Sequence, residues 1–337
     1  MDRKNELQQY AQRIMQCAQL AAALEVSAWP KPGNVHRTAD FSDTKFEHFI
    51  AGSIALGPTT YEAAKRGILA GKQNLDIKNI GIGSLIKATI ENVKSWHSGG
   101  NTHLGISLLF IPLSAAAGFS LSTIGKLQAR SLRRNIQQIL EATSIKDAGY
   151  VYEAITIAGS AAIGKLKQPD LPDLSNHTAQ LLIQQNQLTL YDLMKASSKW
   201  DNIAREWSSG LDICFSLGYP TLIKLFNESR NLNIAIVHTF LKILSKYPDT
   251  FIARKIGVKH TPFIEEAVRI GLEATNWVSE TAKSVLSMGG LNSEKGTQAL
   301  WDFDNKLRKT GGDLNPGTTA DLTAGALMIA LLCGLRY

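Results

Sequence analysis

LQQYAQRIMQCAQLAAALEVSA, residues Leu7–Ala28, runs directly into Trp29-Pro30-Lys31-Pro32-Gly33. Its apolar positions Tyr10, Ile14, Cys17, Ala21 and Leu24 recur at three- and four-residue steps, the period of one helix face. Pro30 and Pro32 end the helix, because neither supplies the backbone N–H that another turn needs. The same period returns along the rest of the chain. A second helix is expected from an Asp43-Thr44 N-cap pair, with Phe46, Phe49, Ile50 and Ile54 on one face. Further helices are expected over 60–70, 84–95, 103–119, 127–143 and 148–163. Others follow over 190–227, 231–246, 249–256, 262–286, 293–310 and 318–335. No alternating pattern persists long enough for a strand, and no fixed repeat is evident. The expected fold is all-α: one large multi-helix domain over residues 1–337, with a polar pocket where helix ends converge. Residues 165–177, rich in Pro, Asp and Asn, are the one candidate internal boundary.

Hydrophobic residues make up 44% and aromatics 7%, a mixture suited to helix packing around a sizeable core. Lys and Arg total 36 against 29 acids, for a net charge of +7. That favours an anionic partner. The cations are dispersed, however, with no zinc-finger spacing and no basic stripe interleaved with aromatics, which argues against nucleic acid. G-x-G-x-x-G and G-x-x-x-x-G-K are absent, so the common nucleotide-binding turns are too. Two apolar stretches, 104–121 and 322–335, raise the membrane question. Pro112 and three serines interrupt the first, and the second is too short to span a bilayer. Both are read as buried core helices, with no membrane partner. Cys17, Cys214 and Cys333 lie far apart in apolar contexts, and the N-terminus leads into an amphipathic helix rather than a signal sequence. A reducing, cytoplasmic location is expected.

Three loops carry the chemistry. In the first, Lys31, His36 and Arg37 place three cations around Gly33-Asn34, a natural phosphate site, with an ordinary exposed turn as the alternative. Glu25 stands about two turns earlier, near a helix C-terminus that disfavours a carboxylate; it is either a metal ligand or base, or a solvated acid. In the second loop, Gly99-Gly100-Asn101-Thr102-His103-Leu104-Gly105, Asn101 or Thr102 caps an apolar helix. The free N–H groups of that first turn form an anion site. His103 then contacts a phosphate or leaving group, or simply packs. A zinc site with His97 lacks further ligands. In the third loop, Asn315 is expected at N-cap and Pro316 at N1. Gly317, Thr318 and Thr319 follow in the first turn, and Asp321 one turn further on is placed to hold Mg²⁺ or activate a hydroxyl. Elsewhere, Asp249 begins a helix that also carries Arg254 and Lys255. Asp201, Arg205 and Glu206 share a helical face, where salt bridging is expected.

Taken together and in order, these motifs resemble the triphosphoribosyl-dephospho-CoA synthase family over residues 20–332. The resemblance rests on Glu25 with Lys31-Pro32-Gly33, on Asn101-Thr102-His103 with Gly105, on Asp249 with Arg254, and on Leu314-Asn315-Pro316-Gly317 with Thr319-Ala320-Asp321. It implies an all-α transferase that moves the triphosphoribosyl group of ATP to the ribose 2′-hydroxyl of dephospho-CoA and releases adenine. It further implies Glu25, His103 and Asp321 as catalytic residues, with Glu25, Asp249 and Asp321 holding Mg²⁺. Lys31, Gly33, Asn34, His36, Arg37, Asn101, Thr102, Arg254, Asn315, Gly317 and Thr318 would bind the nucleotide and its phosphates. The implied partners are ATP and a phosphorylated small-molecule acceptor, with a homo-oligomer left open. Where the lyase-associated pattern reads Lys-Pro-Gly-Leu-Val-Asp and Asn-Thr-His-Lys-Gly, this chain has Asn34, His36 and Leu104. Those replacements are similar to an archaeal-type branch. For that branch the alternatives are a transferase, phosphotransferase or hydrolase on another phosphorylated cofactor precursor, such as a one-carbon pterin or furan carrier, or a non-catalytic nucleotide-binding protein.

Overall fold

The structure, a computed structural model, describes residues 3–159, 164–166, 172 and 179–337. Most of the proposed 165–177 boundary lies outside the described residues. Helices account for most of the chain, and among the described residues there is no strand, only isolated bridges such as Lys165 with Phe263. In order they are α1 (Arg3–Ser27), α2 (Phe46–Ala55), α3 (Gly57–Gly71), α4 (Ile82–Trp96) and α5 (Leu104–Ile124). Next come α6 (Ala129–Glu141), α7 (Ile145–Ala158), α8 (Ala179–Gln185), α9 (Leu190–Ser197) and α10 (Asn202–Ser209). A π-helical segment over Ile213–Gly218 leads into α11 (Tyr219–Ser229). The chain finishes with α12 (Leu232–Lys246), α13 (Thr250–Gly257), α14 (Ile264–Ser287), α15 (Glu294–Arg308) and α16 (Gly317–Leu332).

The expected 190–227 helix is thus broken into α9, α10, the π segment and α11. Its interruptions are legible afterwards. Asp201 caps α10 by accepting from Ile203 N (2.8 Å) and Ala204 N (3.0 Å), and Gly210 ends it at φ +63°. Helix α2 starts later than the Asp43-Thr44 pair suggested; Phe46 N–H is instead satisfied by the Asp40 carboxylate at 2.8 Å. Helix α16 likewise starts at Gly317, with Pro316 rather than Asn315 in the cap position.

Two helices are apolar on every side, and the rest pack around them. Helix α5 is long and apolar enough to cross a membrane by length and composition, but 83% of that span is buried inside the protein. Helix α16 is buried almost throughout. One apolar cluster extends from Ala11 to Leu335 and includes both. Helix α3 lies so close to α5 that their backbones touch. A Cβ on Gly67 would fall 2.0 Å from the Ala115 carbonyl oxygen, and one on Gly118 would fall 2.0 Å from that of Ala64.

Helix α5 also contains Pro112, which has no N–H to give the carbonyl of Leu108 one turn back. The indole of Trp207 on α10 fills that vacancy, donating from Nε1 to Leu108 O at 2.9 Å. Trp207 is fully buried. Glu206 beside it is buried too, its carboxylate accepting from the N–H groups of Ile213 (2.7 Å) and Cys214 (2.9 Å). Burial pushes the Glu206 carboxyl up to about 7 despite those bonds. The expected salt bridging among Asp201, Arg205 and Glu206 is therefore replaced by caps, and Arg205 stacks on Tyr247 at 5.1 Å.

Because the α3–α5 contact is backbone on backbone, no side-chain rotation can relieve a methyl group there. Gly67→Ala should cost about 1–3 kcal/mol, the range for overpacking, read as a lower midpoint in urea with unchanged slope.

Candidate active site

Four helices direct their N-termini toward one cavity of about 260 Å³. At α5, Asn101 Oδ1 accepts from Leu104 N at 3.1 Å. At α10 the cap is Asp201. At α13 it is Asp249, which accepts from Phe251 N (2.9 Å) and Ile252 N (3.0 Å). Helix α16 opens with Gly317 and Thr318 on the cavity wall. First-turn N–H groups and the positive ends of the helix dipoles thus face a common space. Glu25, near the end of α1, also lines it.

Of the residues expected to be catalytic, to bind the nucleotide or to hold metal, Glu25, Asn34, Asn101, Thr102, Arg254, Asn315, Gly317, Thr318 and Asp321 line this cavity. The others do not. Lys31 is completely buried behind Glu25, with its ammonium on the Glu25 carboxylate and 3.0 Å from Asn34 Oδ1. Burial pushes Glu25 up and Lys31 down, and each draws the other back toward its charged form. Glu25 is therefore no solvated acid, and Lys31 is no exposed phosphate ligand. His36 is also buried, with Nε2 3.5 Å from Asp304 Oδ2, and the N–H of Gly33 donates to Asp304 Oδ1 at 2.8 Å. Arg37 turns outward and donates to the Ser27 carbonyl. The cationic turn read from Lys31, His36 and Arg37 thus spends its charges inside the fold or beside it.

His103 is buried behind the wall, stacked obliquely on Phe49 at 5.8 Å. Burial, and secondarily His97, lower its pKa to about 3, which leaves the ring neutral. Asp249 has no oxygen to spare, because its Oδ2 also accepts from Thr319 N (2.7 Å) and Thr319 Oγ1 (2.8 Å). It welds α13 to α16, so direct metal ligation by Asp249 is corrected to a capping role. Asn315 Oδ1 accepts from Asn34 Nδ2 at 2.8 Å, tying the first loop to the third. Of the three replaced positions, Asn34 and Leu104 face the cavity, and His36 does not.

Asp321 is the most perturbed acid in the cavity wall. Its side chain is half-buried, and it lies against Gly105, where a Cβ would fall 1.9 Å from Asp321 Oδ2. Burial raises its pKa well above the carboxylate range, and the charges of Glu25, Asp249 and Asp201 push it further. Among the described residues, the wall thus carries three carboxylates, Glu25, Asp201 and Asp321, against a single cation, Arg254. Arg254 Nη1 lies 3.6 Å from Asp201 Oδ2, and its Nε is buried without a partner.

The sequence reading missed Asp201 as a wall residue, although its capping grammar matches that of Asn315. It missed Trp200, Phe49 and Phe251 as well, because aromatic residues on amphipathic helices look like ordinary core. Tyr152, Ile155, Leu166, Met194, Ile203 and Ile264 make the remaining wall apolar. One part of the cavity can therefore take charge and another a flat or flexible uncharged group. Among the described residues, no three His, Cys, Asp or Glu side chains gather as a metal cage. Glu25 and Asp321 both line the cavity, and the charge of Glu25 helps to raise the Asp321 pKa.

Comparison with known proteins gives a consistent result. The profile of the CitG family, described as ATP:dephospho-CoA triphosphoribosyl transferase, matches residues 11–336. The chain is 22% identical over 320 residues to 2-(5''-triphosphoribosyl)-3'-dephosphocoenzyme-A synthase of Klebsiella pneumoniae, covering 93% of this chain and 89% of that one. A crystal structure from Archaeoglobus fulgidus, named provisionally as a triphosphoribosyl-dephospho-coA synthase, superposes with a TM-score of 0.57 at 23% identity. It covers 85% of this chain and 100% of that one, and supports the fold.

Two outcomes follow from the burial pattern. Lys31→Met, which strands Glu25 as an unpaired buried charge, should cost about 3–5 kcal/mol, whereas Arg37→Ala should change stability by less than about 0.5 kcal/mol; paired urea titrations compare them. His103 binds a proton only near pH 3 in the folded state but near 6.5 when unfolded. Its contribution to stability is therefore complete above 6.5 and lost as pH falls below that value. Replacing it with Gln should flatten that part of the Tm-against-pH curve.

Proposed function

The chain belongs to the CitG family of ATP:dephospho-CoA triphosphoribosyl transferases, and we propose that it catalyses the reaction of that name. The triphosphoribosyl group of ATP passes to the ribose 2′-hydroxyl of dephospho-CoA, and adenine leaves. The observation that carries this reading is the cavity wall itself: carboxylates beside converging helix N-termini, within a chain matched by the family over residues 11–336.

Breaking the bond between ribose C1′ and adenine leaves positive charge on the sugar. Carboxylates held in a low-dielectric wall stabilise such charge, as in glycoside hydrolysis. Glu25 and Asp321 occupy that position. The starts of α5 and α16 offer N–H donors to phosphate oxygens, and Arg254 adds a guanidinium with an unpartnered Nε. A triphosphate and the pyrophosphate of dephospho-CoA nevertheless bring more negative charge to a wall already rich in acid. Bound Mg²⁺ would neutralise phosphate charge between Glu25, Asp321 and the substrate. The apolar wall around Tyr152, Met194 and Trp200 would accept uncharged parts of the substrates. The other readings of the sequence, a phosphotransferase or hydrolase on another cofactor precursor and a non-catalytic binder, gain no support from the comparisons. Three free thiols, at Cys17, Cys214 and Cys333, suit a cytoplasmic enzyme.

Incubating the purified chain with ATP, Mg²⁺ and dephospho-CoA should release adenine in step with acceptor consumption, followed by chromatography. Asp321→Asn should slow release by about 10²–10³-fold, the range for removing one preorganised charge, and EDTA should stop it. Formation of ADP or pyrophosphate in place of adenine would overturn the reaction.

A further inference from the structure

Carboxylates engaged by a cation are poor bases, so the attacking hydroxyl needs another place to put its proton. Thr102 stands in the cavity wall, and the groups behind it form a chain. His103 Nδ1 lies 2.8 Å from Thr102 Oγ1, and Thr102 Oγ1 lies 3.4 Å from His97 Nε2. The His97 ring stacks on His48 at 4.9 Å with 12° between the planes. Both rings are half-buried, near the surface ends of α4 and α2. Space for them is built into the fold. A Cβ on Gly52 would fall 2.2 Å from the His103 ring, and one on Gly99 would fall 2.1 Å from His48 Nδ1. Neither the packing nor the family reaction, as derived above, uses His97.

Resting on the triphosphoribosyl-transfer reading, we propose that Thr102 and His97 form a proton shuttle for the reacting hydroxyl and the departing adenine. As the acceptor oxygen bonds to C1′, its O–H bond breaks and the proton passes to Thr102 Oγ1. Thr102 gives its own proton to His97 Nε2. Adenine leaves with the electron pair of the C–N bond and takes a proton back along the same route, so none is gained or lost. Nε2 is the exchanging atom, because it is the ring nitrogen that faces Thr102 Oγ1. The charged and titratable groups facing His97 are His48 from α2, Lys94 on its own helix and His103 at the start of α5. Burial first, then His48 and Lys94, hold His97 below its ordinary pKa, so the ring is neutral and able to accept at neutral pH.

Adenine release should be measured against pH for the wild type, His97→Gln and Thr102→Val. In the wild type kcat should show an acid limb displaced below the ordinary histidine range, because His97 is held below its ordinary pKa and starts out protonated only there. His97→Gln should lower kcat by about 100-fold, the low end for general acid–base catalysis, leave KM for both substrates unchanged and lose the acid limb. Thr102→Val should match it, and the double variant should be no slower than either. A His97→Gln enzyme that keeps its kcat or its acid limb overturns the shuttle. Ring-nitrogen NMR of the free protein separates this from the reaction itself. Thr102→Val should shift the His97 Nε2 resonance, and no shift overturns the contact, whereas a wild type that releases no adenine overturns the reaction.

Discussion

An ammonium and a carboxylate held together out of water set the geometry of this protein. Lys31 and Glu25 are both buried, six residues apart, on either side of the turn that ends α1. Neither charge is tolerable there alone, so the chain must fold back on itself until they meet. Once it has, Asn34 reaches Lys31 with its oxygen and Asn315 with its nitrogen, and the start of α16 is located relative to the end of α1. Asp249 then fixes α13 against α16 through Thr319. The cavity is what remains between elements located in this way.

The helical content was legible because it depends on local period. Helices α5 and α16 stand out as runs apolar on every side, and their burial follows from that alone. Helix boundaries were less legible, since the Asp40 bond to Phe46 and the Asp201 cap compete with other polar residues nearby. The roles of the cations were least legible. Lys31, His36 and Arg37 look equivalent in sequence, yet they go to a buried acid, a buried acid and a surface carbonyl. The acid that meets His36 is Asp304, hundreds of residues away, and no local pattern reveals such a partner. Asp249 poses the same difficulty: as an acid beside a basic helix it reads as a ligand, until Thr319 claims its second oxygen. Glu25 and Asp321, which line the cavity, stood out because each sits where helix electrostatics or capping grammar makes an acid noteworthy.

The cavity shows how a basic protein can present an acidic wall. The net charge of +7 lies mostly elsewhere. At the wall, dipoles and N–H groups of four helices supply the positive potential, and side chains supply the negative. Backbone groups cannot be titrated, so that positive potential is fixed, whereas burial and neighbouring carboxylates raise the pKa of Asp321.

The indole of Trp207 on the Leu108 carbonyl has a consequence for how this fold tolerates change. Pro112 creates an acceptor with no donor of its own, and α10 docks by supplying one. Positions 112 and 207 are therefore physically coupled. Restoring an N–H at 112 would make the indole share its acceptor, and losing the indole would leave a carbonyl bare in the core. Because α10 carries Asp201 and Ile203 to the cavity wall, the outline of the cavity descends from an irregularity in a helix on its other side.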